Sequence, residues 1–299
     1  MVLLKHVIFL CFPGRFNIHQ ELIAAVLYRV YSFGMTPVMF YVNVVFSLQG
    51  LFLAAKFLIT WHISGSWLAG VLTTVYVVVH RDYVTRVISG IALREQFSMP
   101  FVFGQFLMTG LYLEKTKTTK KDLAFIFAAS FGFNLTWQFG PIILFLQSIV
   151  LFYLAVIDIF SRNVVCKILV TNLLSALGVW CLQYYQSIIP SSLFVSFVPI
   201  ACIILQGLGG KDSTCQQQPS DDEKPPTDAG GGGSGRAVKK LGQSFVILGT
   251  AILGTLFFNQ AIKVAFGQNA DNHILDFVYD KLGINKVWSL NQFFSLSFL

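Results

Sequence analysis

The chain has 299 residues, of which 55% are hydrophobic and only 12% are charged, whereas soluble domains average about 45–50% and about 25%. This composition excludes an ordinary soluble domain, and uncharged runs of about 20 residues predict an all-α integral membrane protein, a polytopic helical bundle. The net charge of +7 is scattered over helix ends and short loops without a basic stripe, so no nucleic-acid partner is expected.

The first predicted elements are a luminal N-terminal segment, 1–36, and a membrane bundle of about seven helices, 37–206. The second membrane helix, from His62 to Val79, carries small residues from Ser64 to Gly70. Small residues let helix backbones approach closely in a membrane, so this stripe predicts a packing face. A polar stretch, 80–96, leads to the third membrane helix.

A lysine-rich loop follows the third membrane helix and sets the predicted topology. Its lysines are Lys115, Lys117, Lys120 and Lys121. Short loops rich in lysine face the cytoplasm, and counting helices from this loop places 80–96 in the lumen. The arginines of that stretch are unusual on the luminal side. Either the count is wrong by one helix, or the arginines are held there for a ligand.

The apolar sequence from Leu123 to Phe160 is too long for one membrane helix. Trp137 to Pro141 interrupts it with polar residues and a proline suited to a helix start, which predicts two helices hinged there. The composition of 207–242 predicts a disordered cytoplasmic loop. The last membrane helix is predicted at 243–266 and the start of a luminal C-terminal region at 267–299, which makes about eight candidate spans.

Two places carry residue types suited to chemistry. Arg86, Arg94 and Glu95 lie at the predicted luminal boundary, where charges are costly and therefore indicate function. The paired donors of arginine match phosphate oxygens of a lipid headgroup; ordinary interfacial charges are the alternative. Trp137 and Gln138 offer aromatic and amide groups for a sugar if the helix break lines a cavity. A luminal turn with an interfacial tryptophan is the alternative there.

Other patterns indicate structure rather than chemistry. Glu21 and Arg29 are spaced to lie near one face of a helix, where a surface pairing is the expected role. Cysteine and histidine show no metal-ligand spacing, so neither a metal nor a cofactor is expected. The tripeptide Asn134 to Thr136 matches a glycosylation acceptor, but its predicted position is too close to the bilayer for that use.

Several stretches, in the expected order, resemble the Dumpy-nineteen family of protein C-mannosyltransferases. They are Arg15 to Glu21, Phe40 to Leu51, Ser64 to Gly70, Thr85 to Val87 with Leu93 to Glu95, Trp137 to Phe139, and Asp271 to Ile274. Each piece alone is weak, but the combination is specific and covers nearly the whole chain outside the predicted disordered loop. His19 and Gln20 depart from the family's Tyr-Pro.

The resemblance implies a multi-pass glycosyltransferase of the endoplasmic reticulum membrane with a GT-C type bundle; the inner nuclear membrane is the alternative location. Such an enzyme takes mannose from dolichyl phosphate mannose, a polyprenyl phosphate sugar lipid. It attaches the sugar to the indole C2 of tryptophan in Trp-x-x-Trp segments of secretory polypeptides. The residues implied for the donor phosphate are Arg94 and Arg86. Those implied for the donor or acceptor pocket are Glu95, Trp137, Gln138 and Glu21.

In the family, the catalytic acid lies in a luminal loop that precedes the element resembled here by Arg15 to Glu21. The catalytic residue of this chain is therefore unknown, and the chain resembles an N- and C-terminally truncated member. A second function stays open for that reason, namely a catalytically inactive membrane scaffold or anchor derived from the family.

Overall fold

The computed structural model describes residues 19–31, 34–80, 94–115, 119–183, 185, 189–212 and 233–266. Nine α-helices and no strand are found in this part of the chain, which confirms the all-α prediction. In chain order they are α1 His19–Val30, α2 Pro37–Ser64, α3 Trp67–Val79, α4 Arg94–Glu114, α5 Lys120–Thr136, α6 Gly140–Val156, α7 Arg162–Leu182, α8 Leu193–Asp212 and α9 Gly233–Phe266.

Three helices in the described part of the chain are long and apolar enough to cross a membrane. They are α2, α7 and the part of α9 from Gly242 to Val264. The 28 residues of α2 reach about 42 Å at the usual rise per residue, more than the roughly 30 Å of a hydrocarbon core. α3, α6 and the Leu193–Leu208 part of α8 are apolar but shorter. The chain therefore has the helices of a membrane protein.

The connection between α2 and α3 differs from the prediction. α2 continues to Ser64, and Gly65 ends it with φ of 67°, a left-handed conformation that favours glycine. The predicted packing face through Ser64, Gly65 and Ser66 is therefore wrong, because Ser64 ends α2 while Gly65 and Ser66 connect it to α3. Gly70 does allow close packing, since a Cβ there would lie 2.7 Å from the Phe57 ring.

The break between α5 and α6 confirms the predicted hinge. α5 ends at Thr136, and α6 begins at Gly140 with Pro141 in its first turn, where the missing N–H of proline costs nothing. Gly140 lies directly against the side chain of Asn134, because a Cβ at Gly140 would be 2.3 Å from Asn134 Oδ1. The two helices therefore meet at a point that only glycine fits.

The predicted disordered loop, 207–242, is too wide at both ends. α8 continues to Asp212 and α9 begins at Gly233, because extending an existing helix gains a hydrogen bond without a new nucleation cost. The predictions made for 1–18, 81–93, 213–232 and 267–299 concern residues that lie outside the described part of the chain.

One end of the bundle, called the lysine end below, is marked by ion pairs between helices. The pairs are Lys115 with Asp122, joining α4 to α5, and His62 with Glu114 at 3.0 Å, joining α2 to α4. Both α2 and α4 therefore finish at the lysine end, where α5 begins. These two helices run in the same direction, as the predicted helix count requires.

The opposite end, called the Trp137 end below, is marked by hydrogen bonds. Gln183 Nε2 donates to the Leu135 carbonyl at 3.5 Å, so α5 and α7 finish together. Asn259 Nδ2 donates to the Ser191 carbonyl at 2.8 Å, which brings the late part of α9 to the start of α8. Successive helices from α4 to α9 therefore alternate between the two ends.

The buried core lies among α5, α6, α7 and α8. Its fully buried phenylalanine side chains are Phe133, Phe152, Phe194 and Phe197. The Phe152 and Phe197 rings meet edge to face at 5.7 Å, an arrangement that adds to the energy of area burial. This core extends from the Trp137 end, with Phe133 and Phe194, to the lysine end, with Val156 and Val165.

Candidate functional site

The described site residues all lie at the Trp137 end. Arg94 and Glu95 form the first turn of α4, Trp137 and Gln138 form the break between α5 and α6, and Glu21 lies on α1. α1 is held at this end because the Tyr28 hydroxyl donates to the Met35 carbonyl at 3.1 Å, just before α2. No hydrogen bond or ion pair joins two of the described site side chains directly. Arg86 lies outside the described residues.

The start of α4 suits a negatively charged group. The first N–H groups of a helix have no partner within it, and the helix dipole adds positive potential there. Glu95 is half-buried in this turn, and the Ser98 hydroxyl donates to the Glu95 carbonyl at 2.9 Å. Gln96 and Ser98 are buried beneath it. The backbone of Arg94 opens the helix, and its side chain is outside the described part.

Trp137 contributes a buried donor. It ends α5 in an extended conformation, packs against the core and meets the Phe139 ring edge to face at 5.8 Å. Its indole nitrogen is buried and has no hydrogen-bond partner in the described part of the chain. An unpaired buried donor costs about 1–3 kcal/mol. The nitrogen therefore lies inside the protein rather than at the membrane interface, while Gln138 is exposed.

Further buried polar atoms near this end also have no partner among the described residues. They are His19 Nδ1, Gln20 Oε1, Asn134 Oδ1 and Trp180 Nε1. Trp180 Nε1, like Trp137 Nε1, is a donor, whereas Gln20 Oε1 and Asn134 Oδ1 are acceptors. Analysis of the sequence did not select Asn134 or Trp180 as candidate residues for a sugar. The available signal was a polar group less than two turns from the end of an apolar helix.

Asn134 is unsuited to glycosylation in this fold. The residue is 2% exposed, and its Nδ2 donates to the Ser130 carbonyl at 2.8 Å. A glycosylated asparagine needs an exposed loop. The position of the tripeptide inside α5 therefore agrees with the expectation that it does not serve as an acceptor.

A groove of about 340 Å³ lies between α1 and the start of α2. Its lining residues are Glu21, Ala24, Ala25, Tyr28, Arg29, Pro37, Phe40 and Tyr41. Glu21 and Arg29 thus share a face of α1 as predicted, but the described structure has no ion pair between them. Gln20 Nε2 instead donates to Glu21 Oε1 at 3.0 Å. The groove is mostly apolar, with one charge of each sign.

The lysine end has a different electrostatic character. Hydrogen bonds from Lys115, and then from the Thr119 side chain and backbone, lower the pKa of Asp122 to about 2. Thr119 and Asp122 also form a capping box at the start of α5. No group of three or more metal-ligating side chains occurs among the residues that the structure describes.

Known proteins resemble this chain over most of its length. The family model described as "Dpy19: Q-cell neuroblast polarisation" matches residues 12–294. The Probable C-mannosyltransferase DPY19L4 of Mus musculus is 29% identical over 203 residues, 65% of this chain, and that of Homo sapiens is 30% identical over 187 residues, 61% of this chain. The Protein C-mannosyl-transferase DPY19L1 of Rattus norvegicus is 28% identical over 215 residues, 62% of this chain.

These relatives are much longer than the matched region. The alignments cover 28%, 26% and 29% of their respective lengths. The matched part of the chain therefore spans between a quarter and a third of the length of these three relatives.

Proposed function

We propose that this chain, which belongs to the Dpy19 family, serves as a membrane C-mannosyltransferase. It takes mannose from dolichyl phosphate mannose and transfers it to the indole C2 of tryptophan in Trp-x-x-Trp segments of secretory polypeptides. The family match over 12–294 and the names of the relatives support the transferase. The donor and the acceptor follow from the family resemblance of the sequence.

The observation that carries the proposal is the set of unpaired buried polar atoms at the Trp137 end. Sugar hydroxyls donate and accept hydrogen bonds, so a mannosyl group bound at the break would pair with Trp137 Nε1. Pairing would remove the cost of leaving this donor unsatisfied. Gln138 on the exposed side of the same break and Glu21 on α1 would complete the donor or acceptor pocket.

The donor phosphate would bind at the start of α4. Arg94 would contact its oxygens with paired charge-assisted hydrogen bonds, Arg86 would assist, and Glu95 would belong to the pocket. During transfer the bond between mannose C1 and the phosphate oxygen breaks, and C1 bonds to indole C2. The phosphate leaves as dolichyl phosphate, and the C2 proton passes to a base. The base in this chain is unknown, and among the described residues the acids at the Trp137 end are Glu21 and Glu95.

The arrangement in the membrane is part of the same proposal. The lysine end would face the cytoplasm and the Trp137 end the lumen of the endoplasmic reticulum, in keeping with the excess of lysine in cytoplasmic loops. About eight helices in a GT-C type bundle would span the bilayer. The N-terminal segment and 267–299 would then be luminal, and 213–232 cytoplasmic.

Donor binding by arginine variants tests the site. Two hydrogen bonds to a charged group, at roughly 1.5–3 kcal/mol each, imply that Arg94→Ala weakens binding of dolichyl phosphate mannose by more than about a hundredfold. Arg94→Lys keeps the positive charge but loses the paired donors of the guanidinium group, so it should weaken binding less. Arg162→Ala is the matched control, because Arg162 also opens a helix but at the lysine end. Equal affinity of Arg94→Ala and the unaltered chain would reject the site.

A transfer assay separates the enzyme from the scaffold. The 299-residue chain and a version extended upstream with the luminal loop of a relative are each given donor lipid and a Trp-x-x-Trp peptide. Mannosylated peptide from the extended version alone supports the transferase with its acid in that loop. Transfer by the chain itself would direct attention to Glu21→Gln and Glu95→Gln. Donor binding without transfer in either version would favour a scaffold.

A further inference from the structure

The helix α1 has its amphipathic pattern inverted. Gln20 is 1% exposed, Ala24 is buried and Tyr28 is half-buried, so the face turned to the protein is polar or small. The large apolar side chains point outward and are between 38% and 63% exposed. They are Leu22, Ile23, Val26, Leu27 and Val30. Their spacing of one, three, one and three residues forms one continuous stripe.

A helix in water has the opposite arrangement, because its apolar stripe gains free energy by leaving water. A contiguous exposed apolar patch marks contact with a membrane or with another protein. The polar inner face of α1 is a second indication of a lipid environment. In hydrocarbon, helices associate through small residues and hydrogen bonds rather than through apolar side chains.

The position of α1 identifies the bilayer as the occupant. The Tyr28 ring meets the Phe40 ring edge to face at 5.3 Å, which fixes α1 against the first turns of α2. α2 is long and apolar enough to span a membrane, and its exposed apolar surface begins at Val38 and Met39. The stripe on α1 therefore adjoins a surface that faces lipid.

The length of α1 decides how it meets the membrane. Its 12 residues extend about 18 Å, too short to cross a hydrocarbon core of roughly 30 Å. We propose that α1 is an interfacial helix whose apolar stripe, from Leu22 to Val30, inserts into the acyl-chain region of the leaflet at the Trp137 end. Interfacial helices of this kind bury their apolar face about 5–10 Å deep.

This placement revises the simple luminal segment expected for 1–36. Glu21 and Arg29 lie on the groove side of α1, so they would be at the level of the lipid headgroups. A long arginine side chain extends readily to that level. The groove between α1 and α2 would then open toward the headgroups. The inference does not depend on mannose transfer, because a scaffold would insert α1 equally well.

Spin labels on the full chain test the inserted face. The five native cysteines are replaced, and retained helix content and elution volume are required before use. Single cysteines at positions 22, 26 and 30 sample the stripe, and matched ones at 21 and 25 sample the groove side. The chain is reconstituted in phosphatidylcholine vesicles. Collision rates with oxygen, which concentrates in lipid, and with a water-soluble nickel chelate are compared for each label.

Insertion predicts a ratio of oxygen to nickel collisions several-fold higher at 22, 26 and 30 than at 21 and 25. Nickel-dominated collisions at 26 and 30 would overturn the inference, because the stripe would then face water. Low collision rates with both reagents would also overturn it and show that a protein segment covers the stripe. Loss of donor binding in Arg94→Ala has no bearing on these ratios, so the two proposals fail independently.

Discussion

The helices α7 and α2 are equally apolar but differ in burial. Their most apolar windows have the same mean hydropathy, yet half of the α7 window is buried inside the protein and only 22% of the α2 window is. Lipid chains are as apolar as leucine, so apolar side chains gain little by turning from lipid to protein. Hydropathy therefore indicates that a helix enters the membrane. It does not decide whether that helix becomes part of the buried core.

The polar residues of α7 make the difference. Asn172 and Ser175 are fully buried on it, and Asn172 Oδ1 accepts a hydrogen bond of 2.7 Å from the Ser130 hydroxyl of α5. The contact of α2 with α4 has a ring pair within the bundle, as Phe52 and Phe103 meet edge to face at 5.1 Å, and its ion pair, His62 with Glu114, lies at the lysine end. A hydrogen bond in hydrocarbon has few alternative partners, so it binds α7 firmly among its neighbours.

Truncating a core leucine of α7 should have the largest effect on this comparison. Leu169 is fully buried, and Leu169→Ala should lower the free energy of unfolding by about 2–5 kcal/mol through lost contacts and a cavity. Leu174→Ala, on the same helix but 55% exposed, should change it by less than about 0.5 kcal/mol. Unfolding in mixed micelles of increasing denaturing detergent measures both. Equal losses would show that α7 has no distinct inner face.

A methyl group at the α2–α3 contact should have the next largest effect. Gly70→Ala would place a Cβ 2.7 Å from the Phe57 ring and 3.0 Å from its carbonyl oxygen. Overpacking of this kind costs about 1–3 kcal/mol. Gly50→Ala is the control, because nothing lies within 4 Å of a Cβ there. Equal thermal midpoints for the two variants would contradict the close approach of α2 and α3 at Gly70.

The hydrogen bond between α5 and α7 should contribute less. A double-mutant cycle of Ser130→Ala and Asn172→Ala should give a coupling free energy of about 0.6–1.7 kcal/mol, the range found between membrane helices. Thr171→Ala combined with Ser130→Ala is the control, because the Thr171 hydroxyl donates within its own helix to Lys167. A coupling free energy near zero in the first cycle would show that the hydrogen bond between Ser130 and Asn172 does not explain the burial of α7.

The smallest expected effect is a pH dependence at the lysine end. The folded pKa of Asp122, about 2, lies below its ordinary 3.8. A depressed pKa adds stability above the unfolded value, and that stability is lost as the pH falls through the folded value. The thermal midpoint should therefore fall slightly between about pH 4 and pH 2. Asp122→Asn should remove this component, and added salt should weaken it because the pair is exposed. If the thermal midpoint of Asp122→Asn falls with pH as much as that of the unaltered chain, the pH dependence arises from another group.

The described site was predictable in part. Charge, an aromatic residue and a break in an apolar run selected Glu95, Trp137 and Gln138, and the family resemblance added Glu21. All four lie at one end of the bundle. Analysis of the sequence did not select Asn134 and Trp180 as candidates for a sugar, because the burial of their unpaired atoms in the described part of the chain depends on how the ends of α5 and α7 pack. The assignment of Arg94 and Arg86 to the donor phosphate stays a prediction.

The sequence by itself determined the helices and the break at Trp137. In hydrocarbon every backbone N–H and carbonyl must be paired within the helix, so an apolar run of sufficient length has one available structure. Tertiary structure alone decided which way the helices face: the turn at Gly65, the buried polar face of α7 and the outward stripe of α1. Lipid and protein interior are equally apolar, so hydropathy does not distinguish them. Only the hydrogen bonds and close contacts of the folded bundle do.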